Sequence, residues 1–241
     1  MIKWLLRRFV AGPDFPATAP ESPFIALGDI HGRVDLLEQF LDLDPAYPVI
    51  CVGDYVDRGE DSAAVLRLLA ERDDIICLSG NHEEMMRRFL KTPTEAGSRW
   101  LRYGGLQTLA SFGVSGVTGT SGPEALEEAR DQLQEAMGPD LVAWLSDLPT
   151  RWQSGNVAVV HAGADPARSI DDQDVQTLHW GHRDFARTQR SDGVWVVHGH
   201  TIVDAPSAAN GRIAIDTGAY ATGNLTAVLV EADKTTFETI S

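Results

Sequence analysis

The chain has 241 residues, 43% of them hydrophobic and 7% aromatic, which is the make-up of an ordinary globular protein with a sizeable core. A formal net charge of −15 excludes broad non-specific contact with nucleic acid, which needs a basic face. It still allows a compact anionic substrate held through bound cations, because such ions dominate their local field.

The opening stretch, Met1 to Val10, is basic and amphipathic, with an apolar run too short for a secretory signal. It reads as a short docked helix. No run is long enough to cross a membrane, so the sequence predicts no stable membrane insertion and a cytoplasmic location. Cys51 and Cys77 each close a strand-like run and read as buried free thiols.

Pro13, Pro16, Pro20 and Pro23 mark residues 1–23 as an N-terminal segment and linker, ahead of a single domain over 24–241. Apolar runs then predict strands at Phe24 to Leu27, Val49 to Val52 and Ile75 to Leu78, each followed by a helix. The first helix carries Val34, Leu37 and Leu41 on one face. Asp61 or Ser62 is the expected cap of the second, whose inward residues are Val65, Leu68 and Leu69. Met85, Phe89 and Leu90 give the third its apolar face. Strand, loop and helix repeated three times is the pattern of a partly parallel sheet.

Residues 91–150 change character. Trp100 to Phe112 and Glu124 to Leu145 read as helices split by the Gly- and Ser-rich stretch 113–122, a helical insertion capping the strand ends. Strand patterns return at Val157 to Val160, Val194 to Val197, Ile213 to Ile215, Leu225 to Val230 and Thr235 to Ile240. The expected fold is mixed α/β (α+β), with two mixed sheets packed face to face and helices outside.

The loops after these strands carry the chemistry. Gly28-Asp-Ile-His-Gly32, Gly53-Asp-Tyr-Val-Asp-Arg-Gly59 and Gly80-Asn-His-Glu83 bring Asp29, His31, Asp54 and Asn81 to the carboxyl ends of the first three strands. In open α/β sheets that is where ligands bind. The later strands end in His161, within Val160-His-Ala-Gly163, and in His198 and His200, within Val197-His-Gly-His-Thr201. Carboxylates from one half and imidazoles from the other form a donor set suited to a pair of divalent cations.

Taken together and in this order, these motifs resemble the calcineurin-like metallophosphoesterase superfamily, and within it the phosphoprotein phosphatase branch of bacteria and phages. The likeness spans roughly residues 24 to 230, and five motifs in sequence make it specific. It implies a four-layer αββα sandwich. It implies that Asp29, His31 and Asp54 hold one metal, with Asp54 bridging to a second held by Asn81, His161 and His200. The pair is expected to be Mn²⁺, with Fe, Zn or Ni also permitted by these ligands. Arg58 is implied to clamp phosphate oxygens, and His82 to be the general acid, with Asp57 orienting it.

Two departures stand out. Where phage-like members place a phosphate-binding arginine, Leu178-His-Trp-Gly-His-Arg-Asp184 has His182 followed by Arg183, so Arg183 is the expected substitute. Trp100-Leu-Arg-Tyr-Gly-Gly105 matches the bacterial branch and has no counterpart in eukaryotic enzymes. The sequence reading ranks a phosphoprotein (Ser/Thr) phosphatase first, with a phosphoprotein or phosphopeptide as substrate. A symmetrical dinucleoside tetraphosphatase, cutting diadenosine tetraphosphate to two ADP, is the alternative. Val56-Asp-Arg-Gly59 and Glu83 set that order. His179 reads as structural, and Tyr220 as a pocket-lining candidate that the pattern leaves unassigned.

Overall fold

The computed structural model describes residues 15–241; the basic stretch Met1 to Val10 lies outside them. Among the described residues the strands, in chain order, are β1 (Phe24–Leu27), β2 (Val49–Cys51), β3 (Ile75–Cys77), β4 (Arg151–Ser154), β5 (Val157–Val160), β6 (Trp195–His198), β7 (Ser207–Ala209), β8 (Arg212–Ala214), β9 (Leu225–Glu231) and β10 (Lys234–Ile240). They form two five-stranded sheets, ordered β10-β9-β1-β2-β3 and β4-β5-β6-β8-β7. In each, three neighbouring strands run parallel (β1, β2 and β3; β5, β6 and β8), and the flanking pairs are antiparallel.

Side-chain alternation sets the layers, since successive residues of a strand point to opposite faces. Phe24 and Ala26 of β1, Ile50 of β2 and Val228 and Val230 of β9 face the second sheet. They meet Val157, Val159, Val197 and Ile213 in one buried cluster. Ile25, Leu27, Val49 and Cys51 point the other way, into a cluster with the helices. Ala158, Val160 and Val196 face outward from the second sheet, against Ile170, Leu178 and Phe185. The result is the expected pair of mixed sheets face to face, with helices outside.

The helices on the first sheet are α1 (Val34–Asp42), α2 (Ser62–Ala70), α3 (Asn81–Lys91), α4 (Pro93–Trp100), α5 (Leu106–Ser111) and α6 (Pro123–Asp147). They bury the predicted faces, with shifts of one position: Leu36, Leu37 and Phe40 in α1, and Val65, Leu66 and Leu69 in α2. Asp61 stands at the N-cap of α2, as expected, but makes no side-chain capping bond, and the Ser62 hydroxyl accepts the Asp57 N–H at 3.0 Å. The predicted single helix from Trp100 also divides. A π-helical turn, Leu101–Gly105, separates α4 from α5. Further on come α7 (Val175–Trp180) and α8 (Ala219–Thr222).

Two short strands escaped the sequence reading, β4 and β7. Both are edge strands, where one missing neighbour relaxes the demand for an apolar run. The segment before β1 is irregular, as its prolines require, but it is docked. Phe15 packs edge-on to Trp195 at 5.3 Å, the Trp195 indole donates to the Pro16 carbonyl, and the Thr18 hydroxyl donates to the Glu231 carbonyl. No helix among the described residues is long and apolar enough to cross a membrane. Cys51 and Cys77 are buried free thiols, as expected.

Candidate dinuclear metal centre

The loops leaving β1, β2, β5 and β6, and the first turn of α3 after β3, meet at one edge of the sandwich. Each must turn sharply from a strand while aiming a polar side chain inward. Of the eight non-glycine residues with left-handed φ among the described residues, five belong to this edge: His31, Asp54, Asp57, Arg58 and His200. Such conformations cost about 1–3 kcal/mol each and persist only where the surroundings hold them.

Here the restraint is visible. Ile30 and His31 donate their N–H groups to the Asp54 carbonyl, and Gly32 donates to Tyr55, so the first two loops are laced together. The Glu83 carboxylate then accepts the backbone N–H of Asp54, Tyr55 and Gly80, each at 2.8 Å. One buried side chain thereby fixes the second loop to the start of α3. Gly80 is required at this junction, because a side-chain carbon there would run into Asp54 Oδ1 and lie 2.6 Å from the Asp54 nitrogen.

The six expected ligands converge on this edge. Asp54 sits between two groups, each with its ligand atoms within 4.8 Å of one another: Asp54 with His161 and His200, and Asp54 with His31 and His82. Its Oδ1 is 3.3 Å from His161 Nε2, and its Oδ2 is 3.6 Å from His31 Nε2. Asn81 Oδ1 lies 2.8 Å from both His161 Nε2 and His200 Nδ1.

The donor chemistry fits divalent cations. Burial lowers His31 to a pKa of about 3, and burial with the neighbouring His161 lowers His200 to about 4. Both imidazoles are therefore neutral at physiological pH, with lone pairs to give. The second nitrogen of His31 is 2.7 Å from the Val56 carbonyl, and that of His161 is 3.2 Å from the Val52 carbonyl. Such partners fix ring orientation in metal sites.

Asp29 borders the groups without joining either one. Its carboxylate accepts the His200 N–H at 3.0 Å. Burial, then the charges of Asp216 and Asp54, hold its pKa well above the ordinary aspartate range. Asp216 and Glu83 are likewise raised, burial first. A crowd of buried carboxylates is what bound cations would relieve.

The expected catalytic group lies alongside. Asp57 Oδ2 is 2.6 Å from His82 Nδ1, while Arg58 reaches within 3.2 Å of His82 Nε2. Burial alone would lower His82, but Asp54 and Asp57 carry it above its ordinary pKa. Asp57 is itself fixed from the helical insertion: Thr108 donates its hydroxyl at 2.6 Å, and Trp100 donates its indole N–H at 3.0 Å.

Arg183 is not brought to the cluster. Its side chain is 87% exposed and its Nε lies 3.4 Å from Asp184. His182 lies between Asp165 at 3.9 Å and Asp184 at 4.0 Å. His179 is buried, in keeping with a structural role. The sequence reading gave no role to Glu83, Asp216, Trp100 or Thr108 in holding the site. The spacing of Gly80 and Glu83, three apart at a helix start, was the one available signal for the first. Tyr220, left open, stacks edge-on to His31 at 5.3 Å and lies under the Arg58 guanidinium at 4.8 Å.

The calcineurin-like phosphoesterase family model matches residues 22–204, more than half of the chain and nearly all of this edge. The chain belongs to the calcineurin-like phosphoesterase family. It is thus a metal-dependent phosphoester hydrolase with a dinuclear-type site.

Relatives of more than one specificity resemble it. The asymmetrical bis(5′-nucleosyl)-tetraphosphatase PrpE of Oceanobacillus iheyensis is 27% identical, over 83% of this chain and 86% of that protein. Serine/threonine-protein phosphatase 2 of Salmonella typhimurium is 28% identical, over 83% of this chain and 88% of its own. In fold, the chain resembles the crystal structure of a candidate diadenosine tetraphosphatase, with a TM-score of 0.61 and 21% identity over 96% of this chain and 97% of that one.

Proposed function

We propose that this phosphoesterase hydrolyses the phosphoanhydride chain of dinucleoside tetraphosphates, which puts the alternative of the sequence reading ahead of protein dephosphorylation. The observation that carries the proposal is the likeness to a tetraphosphatase over most of both chains. Of the two sequence features ranked against it, Val56-Asp-Arg-Gly59 and Glu83, the second loses its force in the fold. Glu83 spends its carboxylate on three backbone amides, so it holds loops and does not select a substrate. Dephosphorylation of proteins is the second reading, favoured by the Salmonella relative.

In this reading Asp29, His31, Asp54, Asn81, His161 and His200 hold two divalent cations. When bound, these supply Lewis-acid polarisation of the phosphoryl oxygens and a more acidic water. Arg58 holds the remaining phosphate oxygens with its forked donors. His82, with its Nδ1 proton directed to Asp57, presents Nε2 to the departing oxygen. Water adds to phosphorus, the P–O bond to the departing group breaks, and Nε2 of the protonated ring gives that oxygen its proton.

The two readings part at this proton. A serine alkoxide is a far stronger base than a nucleotide phosphate, so only the former depends heavily on an acid. His82→Asn should lower kcat about 10²–10⁴-fold on an alkyl phosphomonoester, and about tenfold or less on diadenosine tetraphosphate. The deciding experiment incubates the Mn²⁺-loaded protein with diadenosine tetraphosphate and, in parallel, with a phosphoserine peptide. Conversion of the dinucleotide to ATP and AMP, or to two ADP, supports the proposal. Phosphate released from the peptide with the dinucleotide intact overturns it.

A further inference from the structure

Beside Arg58 the crevice continues into an open cavity of about 410 Å³, lined by Arg58, Arg102, Tyr103, Gly104, Gln107 and Tyr220. We infer that this cavity is a nucleoside subsite, in which Tyr103 and Tyr220 receive the base, Gln107 meets its polar edge, and Arg102 and Arg58 face the adjoining phosphates. The inference rests on the tetraphosphatase reading and names how that substrate is gripped.

Three observations carry it. First, the lining is cationic and aromatic, with no carboxylate, although the whole chain is strongly acidic. An anionic, aromatic group is the ligand such a wall suits. Second, Tyr103 is 46% exposed at this wall, with the Arg99 guanidinium 5.9 Å from its ring centroid, which leaves ring surface open to a stacked partner. Base–aromatic stacking is strong and indifferent to the base, and an exposed glutamine adds a carbonyl and an amide that pair with the edge of adenine.

Third, the wall is built by a specific distortion. Tyr103 and Arg102 ride on the π-helical turn Leu101–Gly105, where Gly104 adopts φ +116°. A side-chain carbon on Gly104 would lie 2.6 Å from the Arg58 nitrogen and 3.1 Å from the Asp57 Cβ. The turn is therefore pressed against the backbone of the two residues that address phosphate and His82. Such turns are frequent at functional sites. Arg58 joins the two regions, since its guanidinium lies over Tyr220 while reaching His82 Nε2.

The test compares Tyr103→Ala and Tyr103→Phe with the unaltered protein, each loaded with Mn²⁺. Substrates are diadenosine tetraphosphate, inorganic tripolyphosphate, which offers an anhydride without a ring, and a phosphotyrosine peptide. Removing the ring should lower the ratio of kcat/KM for the dinucleotide to that for tripolyphosphate at least about tenfold, mainly through KM. Tyr103→Phe should restore most of it, which a merely folded-state role would not predict.

An unchanged ratio overturns the inference. So does a loss confined to the phosphotyrosine peptide, which would make the occupant a tyrosyl ring. If the unaltered protein cleaves no dinucleotide, the proposed function fails, and the subsite is read separately through inhibition of tripolyphosphate cleavage. AMP inhibiting at least tenfold better than inorganic phosphate, with the advantage lost in Tyr103→Ala, upholds the subsite. Equal inhibition by the two removes it.

Discussion

The two sheets contribute to the same crevice in different ways. The loops of the first sheet deliver most of the charge, Asp29, Asp54 and Asp57, besides His31, with Asn81, His82 and Glu83 at the start of α3. Those of the second deliver the imidazoles His161 and His200, and one carboxylate, Asp216. Burying a carboxylate is costly unless it is paired, so the first set is held by a dense hydrogen-bond web, with Glu83 on three amides and Asp57 on Thr108, Trp100 and His82. The His200 imidazole, lowered to a pKa of about 4 chiefly by burial, is neutral and cheaper to bury. His161 and His200 need only one carbonyl, one amide oxygen and the Asp54 carboxylate around them. The contrast is one of partners: the carboxylate loops need a dense hydrogen-bond web, whereas His161 and His200 are held by few groups, His200 with a left-handed backbone braced by its N–H on Asp29.

That contrast can be broken first at Asp54, which belongs to both ligand groups. Asp54→Asn should reduce turnover at least about 10³-fold, about 4 kcal/mol at the transition state, and leave fewer than two metals per chain by elemental analysis. Wild-type metal content in the variant would contradict the proposed sharing of Asp54 by two cations.

Next in size is Glu83→Gln, which keeps the shape but removes the charge and one acceptor. The melting temperature should drop by an amount matching about 1–3 kcal/mol, and kcat should fall with it. A variant that melts like the wild type would show that the loops hold themselves.

A subtler test uses pH on the chelated protein. Asp29 is raised in the folded state, so above about pH 4 the unfolded chain releases a proton that the folded chain still holds. Stability attributable to Asp29 is whole below that pH and drains away as pH rises. The melting temperature of metal-free Asp29→Asn should therefore exceed that of the wild type by a margin that widens from pH 4 upward. Added Mn²⁺ should reverse the order. A constant margin would place the Asp29 charge outside the balance.

The smallest effect is expected at Arg183. Arg183 points to solvent and pairs with Asp184, and exposed pairs contribute about 0–1 kcal/mol. Arg183→Ala should change kcat/KM less than about twofold, whereas a loss of a hundredfold would mean that the arginine swings into the crevice during turnover.

Much of this was legible in the residues. Strand-like runs, most of them continuously apolar, gave eight of the strands, because a buried strand leaves an apolar signature whatever its partners are. The Gly-flanked motifs at strand ends pointed to His31, Asp54, His161 and His200, which the fold gathers into two groups, since a tight turn and a polar donor are both local demands. The short edge strands β4 and β7 went unread because an edge needs no such run. The π turn was read as plain helix because Trp100 to Phe112 has helical composition throughout; its distortion answers to Arg58, more than forty residues away. The exposed placement of Arg183 beside Asp184 was not legible for a related reason: adjacency in sequence to a motif position says nothing about which way a side chain leaves the backbone.

By itself, then, the amino-acid order determined the layers, the family and the ligand types, each of which depends on spacing within short segments. Only the tertiary structure decided that Glu83 braces two loops, that Asp57 is gripped from the helical insertion, and that Tyr103 and Tyr220 wall one cavity with Arg58. Those facts join segments tens to more than a hundred residues apart, and contact at that range is set by how the layers pack.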